Sequence, residues 1–158
     1  HGQMGMFIRA LAYMMSHGAD GLQQVAEDAV LSANYILSQL QDDYNVPFKG
    51  SCMHECMLND KWQKEKGVTT LDIAKALVEY GIHPMTTFFP LVTPGAMLIE
   101  PTETENKEAI DDFIAKMKFI AKEVEEGRGD KFHEFPISTP RRRLDEVKAA
   151  KFPILTWF

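Results

Sequence analysis

The sequence predicts an α/β domain, an α+β sandwich of two layers in which helices back a small, mostly antiparallel sheet. Three observations predict this class. Apolar residues recur at helical spacing in several separate stretches, short apolar runs typical of strands lie between them, and prolines and glycines mark the boundaries. The 158 residues correspond to one domain, and that length is sufficient to bury a core.

The N-terminal stretch predicts two helices that are separated at Gly18. Apolar residues recur at helical spacing from residue 4 to residue 17, and Gly18 then ends the pattern. Asp20 is a suitable N-cap for a second, longer helix that continues to Leu40. Small residues in the middle of its apolar stripe would allow close approach of a neighbouring element.

The middle of the chain predicts three strands around a short helix. The string CMHECML, residues 52–58, predicts a strand, and residues 59–67 form a polar connection. Thr69 and Asp72 have the spacing of a capping box, which would open a helix that Gly81 ends. The proline-rich residues 83–95 predict a short edge strand, and AMLI, residues 96–99, predicts another strand.

The C-terminal part predicts a helix over residues 104–125, a loop, and a last short helix in RRRLDEVKAA. The junction before the longer helix reads LIEPTETENKEAI. Thr102 and Glu105 have capping-box spacing, and this alone is a complete structural explanation for both residues. It does not explain Glu100 and Glu103, which lie where a strand end meets a helix start. In α/β folds such junctions are favoured places for ligand contacts.

The composition argues against several classes of partner. A net charge of −6 does not suit nucleic acid or a membrane surface, because both attract clustered cations. No apolar run approaches the roughly 20 residues of a membrane span. If residues 52–58 form a strand, Cys52 and Cys56 are too far apart to bridge, which favours a reduced, intracellular setting. We therefore expect neither a nucleic-acid partner nor a membrane.

Motifs for metal-dependent or nucleophilic chemistry are weak. His54 with Cys52 and Cys56 could offer metal ligands on one strand face, but the second histidine of the H-E-x-x-H pattern is replaced by Leu58. The sequence contains no G-x-S-x-G elbow, P-loop or G-x-G-x-x-G fingerprint. From the residues alone, the chain is an α/β domain with one suggestive polar junction.

Several strings in order resemble one family. They are HGQMGMFIRALAYMMSHGADGLQQVAEDAVLSANYILSQL, CMHECML, GVTTLDIAKALVEYGIHPMTTFFPL, GAMLIEPTETENKEAIDDFIAKM and TPRRRLDEVKAAKFPILTW. Together they resemble the C-terminal part of the decarboxylating glycine dehydrogenase family, the P-protein of the glycine cleavage system. The resemblance covers nearly the whole chain and points to the end of the second subunit of a split bacterial enzyme.

The resemblance implies a fold-type I pyridoxal phosphate enzyme that decarboxylates glycine and passes the aminomethyl group to the lipoyl arm of the H-protein. It also implies that residues 1–40 lead in from a large domain, and that residues 51–158 form the sandwich and tail of the small one. The family's Schiff-base lysine lies in an N-H-K-T-type segment that does not occur here, and Lys61, Lys64 and Lys66 lie in the polar connection. We therefore expect no covalently bound pyridoxal phosphate and no activity of this chain alone.

The resemblance also suggests positions for site residues. In fold-type I enzymes the small domain closes over the substrate side of the cofactor, so Glu100, Thr102 and Glu103 are expected to face the cleft, while Thr102 or Thr104 also caps the helix. His1 and Gly2 match the start of a segment expected near the cofactor.

Further candidates come from two other matched segments. His54 resembles the histidine of the family's M-H-E string, and Arg142 and Arg143 belong to its T-P-x-R-R-L-D-E segment. Either segment could help to bind a carboxylate or could lie at the entrance for the lipoyl arm. A structural role for each segment agrees with the sequence equally well. A guanidinium can bind a carboxylate through two parallel hydrogen bonds, which makes the two arginines the better candidates for carboxylate binding.

Three hypotheses follow: the small domain of a pyridoxal phosphate enzyme, an independent α/β binding or regulatory module, and a zinc-dependent hydrolase. The first implies a large pyridoxal phosphate domain, a partner subunit, lipoylated H-protein and glycine as partners. It also implies a bacterial cytoplasm, or a mitochondrial matrix in a eukaryote. The chain opens on a helical pattern and closes on FPILTWF, apolar to the end, as a piece of a longer protein would. A domain normally covered by another should expose apolar surface and self-associate.

Overall fold

The computed structural model describes residues 2–157, and in them helices back a three-stranded antiparallel sheet. The predicted two-layer α/β class is confirmed, with two short helices added to the predicted elements. In chain order the elements are α1 (Met4–Leu40), β1 (Cys56–Asn59), α2 (Lys61–Lys64), α3 (Thr70–Glu79), β2 (Thr86–Thr87), β3 (Ala96–Ile99), α4 (Lys107–Glu125), a 3₁₀ helix (Gly129–Glu134) and α5 (Glu146–Lys151).

Helix α1 consists of two segments that meet at Gly18. This glycine has φ 66° and ψ −172°, a conformation that the helix cannot contain and that glycine adopts at little cost. The predicted break is confirmed. The first segment, residues 4–17, is exposed throughout, and we call it the arm. The second segment packs into the core through Ala29, Ala33, Ile36 and Leu40.

The sheet has the order β1-β3-β2, so β3 is the central strand. Cys56 pairs with Ile99 and Leu58 pairs with Met97, and all four side chains are buried. The predicted edge strand is β2, whose Thr86 lies opposite Leu98.

The prediction of a strand over residues 52–58 was wrong at its start, because β1 begins only at Cys56. The Asn34 side chain of α1 donates to the carbonyl of Cys52 at 2.7 Å and accepts from its amide at 3.0 Å. Both backbone groups of Cys52 are thus satisfied by a helix, and His54 lies in a bend before the sheet.

The capping box of α3 is confirmed. The Thr69 side chain accepts from the amide of Asp72, and the Asp72 carboxylate accepts from the amide of Thr69 at 2.9 Å. The helix ends at Glu79, and Gly81 follows with φ 78°.

The predicted start of α4 was wrong. Its N-cap is Asn106, whose side-chain oxygen accepts from the amide of Ala109 at 2.8 Å. Thr102 and Glu105 therefore form no capping box, and neither Thr102 nor Thr104 caps the helix. Asparagine is among the best N-cap residues. Because Asn106 stands directly before the first helical turn, it caps the helix and the earlier threonines do not.

The core lies between the sheet, the second segment of α1, and the inner faces of α3 and α4. Its largest fully buried side chain is Tyr44, whose hydroxyl donates to the carbonyl of Met117 at 2.9 Å. The other fully buried large side chains include Phe132, Leu58, Ile73, Leu77, Met97 and Ile120.

In residues 2–157 no helix combines the length and apolarity that a membrane span requires.

Candidate functional site at the junction of a strand and a helix

The segment between β3 and α4, residues 100–106, forms an irregular turn that we call the junction loop. Thr102 has φ 58°, which is unusual for a β-branched residue and costs on the order of 1–3 kcal/mol. Its hydroxyl lies 2.8 Å from the hydroxyl of Thr104 and accepts from the amide of Thr104 at 3.2 Å. The threonines thus shape the loop itself, and the strained Thr102 is half-buried within it.

Glu103 connects the junction loop to the arm. The Tyr13 hydroxyl donates to the Glu103 carboxylate at 2.7 Å, across 90 positions of sequence. This hydrogen bond, followed by a backbone hydrogen bond, lowers the pKa of Glu103, and His17 adds a smaller favourable charge effect. The same hydrogen bond, which Tyr13 donates to Glu103, raises the pKa of Tyr13. The ring of Tyr13 also lies 4.4 Å from that of His17.

Glu100 lies on the other side of the loop and faces His54. The His54 Nε2 is 3.8 Å from the Glu100 carboxylate, and both side chains are more than half exposed. Such an exposed pair contributes little to stability. Of the predicted site residues among residues 2–157, His54 and Glu100 are the two whose side chains, from separate segments, lie within ion-pair distance.

A cavity of about 430 Å³ opens beside Glu100. Its apolar walls come from α1, from the segment after α3, from the end of β3 and from the first turns of α4. Its ionisable lining consists of Glu100, Glu105, Asp112 and His83. The lining includes no lysine or arginine among residues 2–157, so the electrostatic character of this cavity is acidic.

Arg143 lies at the N-terminal end of α3 instead. Its guanidinium donates to the Asp72 carboxylate at 2.7 Å and to the carbonyls of Phe132 and Phe135 at 2.8 and 2.9 Å. His133 Nδ1 is also 3.2 Å from Asp72. Burial acts to raise the pKa of Asp72, but the hydrogen bonds from Thr69, Arg143 and His133 outweigh it, and the pKa is lowered. Arg143 therefore holds the C-terminal segment on the fold.

Two further candidates, Arg142 and Gly2, take part in none of these contacts. Arg142 is exposed, Gly2 is exposed just before α1, and His1 lies outside the described residues. Burial raises the pKa of Cys56 to about 12 and also raises that of Cys52, so both thiols are protonated at neutral pH. Among residues 2–157 no three His, Cys, Asp or Glu side chains are grouped to hold a metal ion. The zinc-hydrolase hypothesis gains no support from this arrangement.

Sequence reasoning missed two residues of this region. Tyr13 was assigned only to a helix, because nothing in the sequence relates it to a carboxylate 90 positions away. Asn106 carried a usable signal, since an asparagine directly before a helical pattern is a favoured N-cap.

Two kinds of comparison with known proteins, with a family model and with individual relatives, identify the same family. The sequence model described as "Glycine dehydrogenase, C-terminal domain" matches residues 25–136. Over 99% of the chain, the sequence is 57% identical to a protein of Caulobacter vibrioides named "Probable glycine dehydrogenase (decarboxylating) subunit 2", and it covers 30% of that protein. Proteins with the same name from Shouchella clausii and Desulforamulus reducens are 48% and 46% identical over 99% and 97% of the chain, which covers 32% of each.

The chain thus spans about a third of the length of the curated relatives it matches. Both kinds of match agree with the resemblance seen in the sequence strings. On this evidence, the chain belongs to the glycine dehydrogenase family and corresponds to its C-terminal domain.

Proposed function

We propose that this chain is the small domain of a pyridoxal phosphate-dependent glycine decarboxylase of the glycine cleavage system, in a bacterial cytoplasm. The whole enzyme would release CO₂ from glycine and pass the aminomethyl group to the lipoyl arm of the H-protein. The observation that carries the proposal is the 57% identity that extends over 99% of the chain to a relative named as subunit 2 of this enzyme. An independent binding module is the alternative.

When bound, pyridoxal phosphate would supply an electron sink for the electron pair left on the α-carbon when CO₂ departs from glycine. The lining of the cavity beside the junction loop does not fit that cofactor. The cofactor needs an amine to hold it as an imine and cationic or amide donors for its phosphate. The cavity beside the junction loop offers Glu100, Glu105 and Asp112 instead, whose charges would repel a phosphate. We therefore place the cofactor in the two thirds of the relatives that this chain does not match, and expect the chain alone to be inactive.

The arm supports the existence of a covering domain. Eight large hydrophobic side chains of the arm are between 41% and 75% exposed. A helix surface that is this apolar is normally buried against another surface. The large domain of the same enzyme is the occupant we propose, with the partner subunit completing the assembly. The eight side chains belong to Met4, Met6, Phe7, Ile8, Leu11, Tyr13, Met14 and Met15.

Within this assembly the junction loop would face the active-site cleft. Thr102 supports this role through its positive φ, because strained residues concentrate at functional sites. Glu103 would fix the loop to the arm through Tyr13, so that movement of one is transmitted to the other. His54 and Glu100 would lie at the cavity side of the loop. Arg143 is better explained as a structural anchor, and the exposed Arg142 remains the candidate for binding a carboxylate.

A chimera tests the proposed function. This chain would replace the matching region of the Caulobacter vibrioides subunit 2, and glycine decarboxylation would be measured with the partner subunit and H-protein. We expect activity within about tenfold of the parent, because the exchanged sequences are 57% identical. The parent subunit without the exchanged region is the negative control. A chimera that folds and assembles but shows no more activity than this control would contradict the proposal.

Variants of the same chimera test the junction loop. Glu103→Ala should lower kcat, and Tyr13→Phe should lower it similarly, because both remove the same hydrogen bond. Glu108→Gln removes an exposed charge on the first turn of α4 and serves as the control. If Glu103→Ala and Glu108→Gln left kcat equally unchanged, the proposed role of the loop would be wrong.

A further inference from the structure

The cavity beside the junction loop has the features of a small-molecule site. Its volume of about 430 Å³ falls in the range of roughly 300–1,000 Å³ that is typical of ligand pockets. Its walls are supplied by side chains from four different parts of the fold, so its shape depends on the packed domain and not on one flexible loop. The apolar walls include Ile36, Ile82, Met85, Ile99 and Phe113.

The charged lining should make the cavity prefer cations to anions. Glu100 and Asp112 are each more than half exposed at its edge, and Glu105 is exposed in the junction loop. Asp112 is paired with Lys116 at 2.6 Å, and Glu100 faces His54 at 3.8 Å. The lining itself contains three carboxylates and one histidine, His83, without a lysine or arginine among the described residues. A cation entering the cavity would therefore meet net negative charge, and an anion would be repelled.

From these two features we infer that the cavity binds a small ligand that joins an apolar chain to an ammonium group. The chain would lie against the isoleucines and Phe113, and the ammonium would lie among the carboxylates at the edge. An ammonium at this position gains attraction while it stays partly hydrated, so it avoids the cost of full burial. This inference does not depend on the proposed function, because it concerns residues of this chain alone.

Binding can be measured with the 158-residue protein and three probes of equal chain length. Hexylamine, 1-hexanol and hexanoate would be titrated at pH 7, with methyl chemical shifts as the readout. We expect saturable binding of hexylamine about tenfold tighter than that of hexanoate, with hexanol between them, and shifts at Ile82, Met85 and Ile99. Equal affinity for hexylamine and hexanoate, or shifts confined to other surfaces, would overturn the inference.

Substitutions test the acidic lining and the apolar space of the cavity separately. Glu105→Gln should weaken hexylamine about two- to fivefold, as expected for one exposed ion pair, and leave hexanol unchanged. Ala109→Phe should fill the cavity and weaken both. Glu108→Gln, which changes an exposed acid on the first turn of α4 that does not line the cavity, is the matched control. The same loss of hexylamine affinity in Glu108→Gln and Glu105→Gln would show that only net charge matters, and the inference would fail.

Discussion

At the scale of single residues, two buried carboxylates organise the connections around α3. Asp60 accepts from the amide of Thr70 at 2.8 Å, where the chain enters the helix. Asp72 closes the capping box and also binds Arg143 and His133. Each carboxylate is buried and hydrogen-bonded, as the interior of a protein requires of a charged group. Asp60 thus connects the chain after β1 to the start of α3, and Asp72 connects the start of α3 to His133 and Arg143.

Gly95 is expected to tolerate no side chain. It has φ +64°, and a Cβ there would lie 1.9 Å from the Asp60 Oδ1. Gly95→Ala should therefore add a strained backbone to a broken hydrogen bond and lower the free energy of unfolding by about 3–5 kcal/mol. Gly67→Ala is the control, because Gly67 has φ +87° with open space around it and should cost only about 1–2 kcal/mol. Urea denaturation measures both, and equal losses would contradict the steric argument.

Asp72 should make the fold sensitive to acid. Its pKa is lowered in the folded state, so its stabilising effect is present above the unfolded pKa and is lost as the pH falls through the folded value. Asp72→Asn should cost roughly 2–3 kcal/mol at pH 7 and flatten the decline of stability below about pH 4. Exposed Asp42→Asn is the control for charge removal. An unaltered acid dependence in Asp72→Asn, measured by denaturation across the pH range, would be contrary to this account.

At the scale of elements, α4 shows where local chemistry decides a boundary. Asn106→Ala should cost about 1 kcal/mol because it removes the N-cap hydrogen bond. Thr102→Ala should change stability by less than about 0.5 kcal/mol, since Thr102 caps nothing and its amide partner is exposed. Thermal or chemical unfolding of the two variants provides the comparison. A larger loss for Thr102→Ala than for Asn106→Ala would restore the capping role predicted from the sequence.

Most elements could be predicted from the sequence because their signals are local. Gly18, the Thr69–Asp72 box, the proline-limited edge strand and AMLI each depend on neighbours a few positions away. The start of α4 was missed although its signal, Asn106, is also local. The features that the sequence could not show have non-local causes. The start of β1 is decided by Asn34 of α1, and the contact of the junction loop is decided by Tyr13 of the arm. The position of Arg143 against Asp72 is of the same kind, because it joins residues 71 positions apart.

At the scale of the whole molecule, the arm is an apolar helical surface that this domain does not cover by itself. Its apolar residues are exposed, whereas Ala29, Ala33, Ile36 and Leu40 of the second segment of α1 are buried. We expect the isolated chain to self-associate as its concentration rises, through this surface. Sedimentation velocity should show the association, and Phe7→Lys with Leu11→Lys should suppress it. Association that these two changes left intact would assign it to another surface.

The proposal that the arm docks on a larger enzyme is tested most directly by hydrogen exchange. Amides of residues 4–17 would be followed in the isolated chain, at a concentration where it is monomeric, and in the Caulobacter chimera. We predict that they exchange at least about tenfold more slowly in the chimera, because the covered arm can open only with its neighbours. Amides of α4, which is packed in both proteins, should exchange alike and confirm that both are folded. Equal exchange of residues 4–17 in the two proteins would contradict the account.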